Sequence, residues 1–214
     1  MDILVIAAHP DDEVLGMGGT IKKLVKQQNK IHLCVVSEGA SAQYDDKKMI
    51  KIRKEACLKS GKILGISTYT FLNFQDMKLD SIPQLEINIE LEKIIKKLKP
   101  KVVYTTPSND LNKDHQKVFE STLVVSRAHG NSVKEVLSYE IPAIIKFAFT
   151  PTVYEDIHKE FPTKIKAFKQ YKTEIMKFPH PRSIEAIETL SKFRGMESGL
   201  IRAEGFQLIK KIQS

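Results

Sequence analysis

At 214 residues the chain sits near the upper end of the single-domain range, so one core is the default expectation. Hydrophobic residues make up 42% and charged residues 28%, a balance that supports a sizeable core and excludes wholesale disorder. The 34 Lys plus Arg against 26 Asp plus Glu give a formal charge of +8, which favours anionic partners such as phosphorylated sugars, sugar nucleotides or nucleic acid. Nucleic acid is the weakest of these, because Trp is absent and no binding module is recognisable.

The first half alternates short β-branched runs with longer amphipathic ones, the signature of βαβ units on a parallel sheet. Residues 2–9 predict a strand that opens on the apolar segment ILVIAA, with no basic leader before it. The pattern at 15–28 places Leu15, Ile21, Leu24 and Val25 on one helical stripe, and 31–37 reads as a second strand. A helix over 46–64, a strand at 69–74, a helix over 84–99 ended by Pro100, and a strand at 101–106 continue the alternation. A helix at 113–127 follows the polar loop 107–112, and 133–141 predicts a further strand.

Beyond Pro142 a proline-rich stretch leads into helical patterns near 163–177 and 183–200 and a last strand at 205–211. The expected fold is α/β and Rossmann-like: a mostly parallel sheet flanked by helices, in a single domain with residues 1–142 as core and 143–214 as a C-terminal helical extension. Cys34 and Cys57 lie in apolar runs without metal-type or disulfide-type spacing and read as buried, reduced thiols. No apolar run approaches the ~20 residues of a membrane span, so a cytoplasmic location without a membrane span is expected.

Two polar clusters stand out. Immediately after the first strand comes AHPDDE at 8–13, with His9, Asp11, Asp12 and Glu13 in five positions. Taken alone, such a loop reads as a helix N-cap. NDLNKDHQ at 109–116 follows another strand end and supplies Asp110, Asp114 and His115. In open α/β sheets ligands collect at the carboxyl ends of strands, so both clusters can face one rim. Two imidazoles and a carboxylate with an open fourth position suit a catalytic zinc ion, whereas a structural zinc site would bring more cysteines. Glycines 16, 18 and 19 do not match a phosphate-loop spacing and read as close helix–sheet packing. His32, His129 and His158 read as structural or solvent-exposed.

The AHPDDE box after strand one, together with the downstream NxDH box, resembles the PIG-L (LmbE-like) family of N-acetylglucosaminyl deacetylases. Further likeness lies in SEGAS at 37–41, in the segments 53–66 and 71–76, and in PHPRS at 179–183 with AEGF at 203–206. The resemblance implies one zinc ion per chain on His9, Asp12 and His115, with Asp11 as general base toward the attacking water. It implies substrate contacts from Arg53 and Asp76, each of which also reads as an ordinary helix-surface or turn residue. Glu13 and Asp114 are placed behind the ligands, orienting them.

Where many family members carry a second histidine, this chain has Asn112, a candidate sugar contact that cannot serve as acid. The acid is then Asp11 itself or His180, which otherwise packs the C-terminal extension. Arg182 is a weaker candidate for an anionic substituent, through its planar fork. The apolar segment 141–149 replaces a Ser/Thr-rich stretch of relatives and points to an altered pocket wall or a homo-oligomer interface. The implied reaction is hydrolysis of an N-acetylated amino sugar, possibly anionic or nucleotide-linked, in bacterial surface-glycan or thiol-cofactor biosynthesis. The alternatives are a sugar-binding homologue without turnover and a metal-dependent hydrolase of another bond.

Overall fold

The computed structural model describes residues 1–44, 46, 48–128, 130–142 and 146–213; His129 and the centre of the 141–149 segment fall outside them. Strands β1 (Asp2–Ala7), β2 (Lys30–Ser37), β3 (Thr68–Phe74), β4 (Val102–Thr105), β5 (Glu135–Tyr139), β6 (Val153–Asp156) and β7 (Ala203–Lys211) form one sheet in the order β3-β2-β1-β4-β5-β7-β6. β1 to β5 run parallel, and β7 is antiparallel to both β5 and β6. The sheet is thus mixed but mostly parallel, as the alternating pattern predicts.

Strand β1 shows why its run is apolar throughout. Ile3, Val5 and Ala7 join the core on one side of the sheet, and Leu4 and Ile6 join the core on the other, as the period of two in a doubly covered strand requires. Helices α1 (Asp12–Lys26), α2 (Lys48–Leu64) and α5 (Phe161–Phe168) cover the first side. Helices α3 (Gln84–Leu98) and α4 (Lys113–Val125) cover the second, while α6 (Ile184–Ser198) packs on β7.

From β1 the chain crosses to β2 on one side, whereas β4 lies against β1 on the other. The loops after β1 and β4 therefore flank the point where strand order reverses, the crevice in which such sheets bind ligands.

Two features depart from the expected elements. The helix expected over 163–177 ends at Phe168, and 168–174 continues in tight turns with Tyr171 N–H donating to Phe168 O and Glu174 N–H to Tyr171 O. Strand β6 is unforeseen because its four residues in a proline-rich stretch carry too little alternation to register. The C-terminal part is consequently less helical than expected and adds two strands to the sheet.

Helix α1 is interrupted at Met17, whose φ of −145° and ψ of 26° are non-helical. The groups freed there are satisfied from the C-terminal part. Glu204 accepts from Gly19 N–H at 3.0 Å and Thr20 N–H at 2.7 Å, and Lys164 Nζ donates to Leu15 O at 2.7 Å and to Glu204 at 2.6 Å. The glycines of this helix do serve close packing: a Cβ on Gly16 would collide with the ring of Tyr139.

Candidate metal centre and active site

His9, Asp11 and Asp12 leave β1 in a loop that enters α1, and Asp110 to His115 leave β4 and enter α4. Asn112 caps α4, its side-chain oxygen accepting Asp114 N–H at 2.9 Å, which fixes where the first turn of that helix presents Asp114 and His115. Asp11 sits at φ 122°, ψ −22°, a sparsely populated backbone state of the kind that surrounding structure must hold in place.

The two loops meet. His9 Nδ1 lies 3.1 Å from His115 Nε2, and Asp12 reaches both rings, with Oδ1 3.3 Å from His115 Nε2 and Oδ2 3.7 Å from His9 Nδ1. The far nitrogen of each ring faces a carboxylate: His115 Nδ1 pairs with Asp110 Oδ2 at 2.7 Å, and His9 Nε2 with Asp114 Oδ2 at 3.1 Å and Asp76 Oδ1 at 3.2 Å. Carboxylates behind the rings select the tautomer whose lone pair points at the neighbouring imidazole.

Two converging lone pairs and a buried Asp12 Oδ1 without a hydrogen-bond partner among the described residues make a costly arrangement unless a cation shares it. The donor set, two nitrogens and one oxygen, fits a metal ion. A second grouping, His9 with Asp76 and Asp114, would also reach one. There, however, Asp114 already accepts N–H groups from Met77 at 2.8 Å and Leu79 at 3.0 Å. Both groupings need His9, and the first leaves more capacity unfilled.

The electrostatics agree with that assignment. Burial opposes charge on His9 and His115, yet the surrounding carboxylates dominate, holding His9 well above its ordinary range and His115 up at about 9. Burial likewise opposes ionisation of Asp12, but the two imidazoles hold its carboxyl well below the usual range.

Asp11 is fully buried and neither of its oxygens has a hydrogen-bond partner among the described residues. Two guanidiniums stand nearby, Arg53 Nη2 at 3.4 Å and Arg182 Nη2 at 3.8 Å. Burial raises the Asp11 carboxyl while Arg182 and Arg53 draw it down, and the balance is upward. Glu13 holds the Asp11 backbone through Asp11 N–H at 3.1 Å and receives the Tyr171 hydroxyl at 2.6 Å.

Arg53 is buried, which corrects the reading of it as a surface residue of a charged helix. It donates to the carbonyls of Gly39 and, at 2.8 Å, Pro10, tying the loops after β2 and β1 together. Gly39 sits at φ +64° against the Pro10 ring, where a side chain would clash. Asp76 lies behind His9; burial pushes its carboxyl up, but the hydrogen bond and charge of His9, the Arg53 guanidinium and the Ala42 N–H together hold it below the usual range.

A cavity of about 290 Å³ opens over His115 and is lined by Asp110, Asn112, His180 and Arg182 among others. His180 is exposed on its rim, and its Nδ1 accepts Arg182 N–H at 3.0 Å. Residues that carry this site and that sequence reasoning did not single out are Tyr171 and Glu174. Glu174 is buried and takes Arg182 Nη1 at 2.7 Å with Arg53 Nη2 at 3.5 Å.

The other histidines serve elsewhere. His32 bridges Asp2 at 2.8 Å and Thr68 at 2.7 Å, and His158 stands in an exposed turn. Cys34 and Cys57 are buried and free. Among the described residues no helix is long and apolar enough to cross a membrane.

The profile of the PIG-L family, GlcNAc-PI de-N-acetylase, matches residues 4–126, a span that contains both loops. The uncharacterized deacetylase YaiS of Escherichia coli is 32% identical over 180 residues, covering 80% of this chain and 90% of its own. The fold matches the N,N'-diacetylchitobiose deacetylase of Pyrococcus horikoshii at a TM-score of 0.83 and 22% identity, over 98% of this chain and 84% of that one. It also matches GalB, the 4-carboxy-2-hydroxymuconate hydratase of Pseudomonas putida, at 0.82 and 20% identity, over 100% and 98%, so the fold alone does not fix a reaction. With both boxes inside the matched span and a relative alike over four-fifths of its length, this chain belongs to the PIG-L family and is an enzyme of the deacetylase type.

Proposed function

We propose that the enzyme hydrolyses the N-acetyl group of an amino sugar, using one zinc ion per chain held by His9, Asp12 and His115. The observation that carries this reading is the 3.1 Å approach of His9 Nδ1 to His115 Nε2 beside the unpartnered Asp12 Oδ1. A zinc ion on two imidazoles and one carboxylate would supply Lewis acidity toward the amide oxygen and lower the pKa of the attacking water.

The chain's own groups do the rest. Asp11 takes the proton from the water: burial makes it more basic than an exposed carboxylate, and the two guanidiniums keep its ionised form accessible. His180 returns a proton to the departing amine. The donating form is the imidazolium, since a neutral ring giving up its one proton would be left as an imidazolate; the Arg182 N–H bond accepted by Nδ1 in the neutral ring is released when the ring is charged. Arg182, partly exposed in the cavity, contacts the sugar or an anionic substituent, and Asn112 offers the amide nitrogen that its capping oxygen leaves free. Arg53 and Asp76 support the site from behind rather than from the sugar side, Arg53 through the Pro10 and Gly39 carbonyls and Asp76 through His9.

The amino-sugar substrate follows from the family together with the diacetylchitobiose named for the Pyrococcus relative. A two-metal phosphoester hydrolase is disfavoured, because the two donor groupings compete for His9. Two free, buried cysteines support a cytoplasmic location.

The test is acetate release from free, phosphorylated and nucleotide-linked N-acetyl sugars, using zinc-loaded protein, chelated protein and Asp11→Asn. Chelation or Asp11→Asn is expected to reduce turnover at least ~100-fold. Turnover that survives both treatments overturns the mechanism.

A further inference from the structure

The cavity over His115 has a neighbour. A second cavity, of about 260 Å³, adjoins it, and Ile141, Pro142 and Pro181 line both. Small-molecule sites typically span ~300–1,000 Å³; each cavity alone sits at the lower edge of that range and the two together lie within it.

The two differ in chemistry. The first is edged by ionisable groups, Asp110, His115, His180 and Arg182. The second is faced by Phe149, Ala186 and Leu190, and its polar members are already engaged. Glu140 takes Arg194 in a two-pronged pair at 2.7 and 2.6 Å, and Arg194 also donates to Phe149 O at 3.2 Å. The Asn109 amide donates to Phe147 O at 2.8 Å. Among the described residues lining this second cavity no cation remains for a phosphate, and what is left open is hydrocarbon. Its walls are anchored: Phe149 is buried, and Ala186 and Leu190 ride on α6, whose first turn Ser183 caps at 3.0 Å.

We propose that this second compartment is a substrate subsite that takes a neutral, apolar substituent carried by the amino sugar, such as an aryl or alkyl aglycone. The proposal rests on the deacetylase reading for the first cavity and deepens it. The shared apolar wall is what makes one ligand able to fill both, with the acetamido end over His115 and the aglycone against Phe149 and Leu190. A nucleotide diphosphate at that position would find no counter-charge and would leave its oxygens unpaired.

The experiment compares phenyl β-glucosaminide with glucosamine, glucosamine 6-phosphate and a uridine diphosphate-linked amino sugar, as ligands of the zinc-loaded protein in calorimetry. These are products, so binding is read whether or not turnover occurs. The phenyl glycoside is expected to bind at least ~10-fold more tightly than glucosamine, the scale of a filled apolar pocket. Ala186→Trp, which fills the compartment, should erase that difference, and Leu190→Gln should reduce it; circular dichroism confirms folding of each. Equal affinity for the phenyl glycoside and glucosamine overturns the proposal, as does tighter binding of the phosphorylated or nucleotide-linked ligand. A change in sedimentation of Ala186→Trp without loss of the phenyl preference overturns it too, since a second copy of the chain would then be what covers the groove. Failure of acetate release with the phenyl preference intact would refute the deacetylase reading alone.

Discussion

The Tyr171 hydroxyl donates to Glu13 Oε1 at 2.6 Å, and the other oxygen of the same carboxyl receives Asp11 N–H at 3.1 Å. A residue from the turn after α5 thereby props the strained backbone of the proposed base. Tyr171→Phe leaves a buried carboxyl oxygen without its donor, at a cost of about 1–3 kcal/mol, and is expected to lower turnover as well. Denaturant unfolding and steady-state rates on the same protein check both.

Glu13 itself carries a pH signature. Burial is the largest influence on its carboxyl, which in the metal-free protein is pushed up to about 8. The unfolded chain releases this proton near 4.5 while the folded chain keeps it, so stability contributed at low pH is lost as pH rises between those values. Glu13→Gln, neutral throughout, removes that loss. In chelated protein, wild type should fall in stability relative to Glu13→Gln between pH 5 and pH 8.5. A constant difference across that window would mean that Glu13 is ionised in the folded state already.

Asp110 stands behind His115 at 2.7 Å, where it fixes the ring and would raise its basicity as the proposed zinc ligand. Asp110→Asn keeps the shape but accepts less strongly, and it should weaken zinc binding ~10–100-fold, the usual cost of losing such a partner. Competition with a chromophoric chelator measures it; unchanged affinity would remove Asp110 from the metal centre.

How much of this site could be read from the chain depended on where its parts come from. The loops after β1 and β4 meet because both follow parallel strands on either side of the point where strand order reverses, so their clusters were legible as one site. Arg53 was legible as a site residue through the resemblance, but its burial and its loop-tying contacts were not. Its neighbours at 51, 52, 54 and 55 are exposed, while its own partners, Pro10, Gly39, Asp11 and Glu174, lie on three other segments. Tyr171 and Glu174 were hidden for the same reason. The helical period around 163–177 gave no warning that the chain leaves α5 at Phe168 and turns Tyr171 toward Glu13 of α1 and Glu174 toward Arg53 and Arg182. Asn112 was recognised as a departure from the histidine pattern, yet its capping of α4 became visible only with the backbone in place.

His180 is the residue on which the proposed proton return depends. His180→Ala is expected to lower kcat on the order of 100-fold, with little change in KM and with zinc content unaltered, because the ring lies on the cavity rim and, among the described residues, is held by the Arg182 N–H rather than by a metal-site carboxylate. A fall in zinc content would instead assign the ring to the metal, and an unchanged kcat would return the acid role to Asp11.

The buried pair of Lys164 and Glu204, 2.6 Å apart, joins α5 and β7 to the break in α1 at Met17. Glu204 retains two N–H donors without the lysine, but Leu15 O loses its only side-chain partner among the described residues and the carboxylate its lysine countercharge. Removing one member of a buried ion pair costs about 3–5 kcal/mol, so Lys164→Met should destabilise the fold by roughly that amount, read from urea unfolding. Because α1 begins at the metal loop, loosening its second turn should also weaken zinc retention. A variant that loses stability yet holds zinc as tightly as wild type would show that the break at Met17 isolates the loop from the rest of the helix.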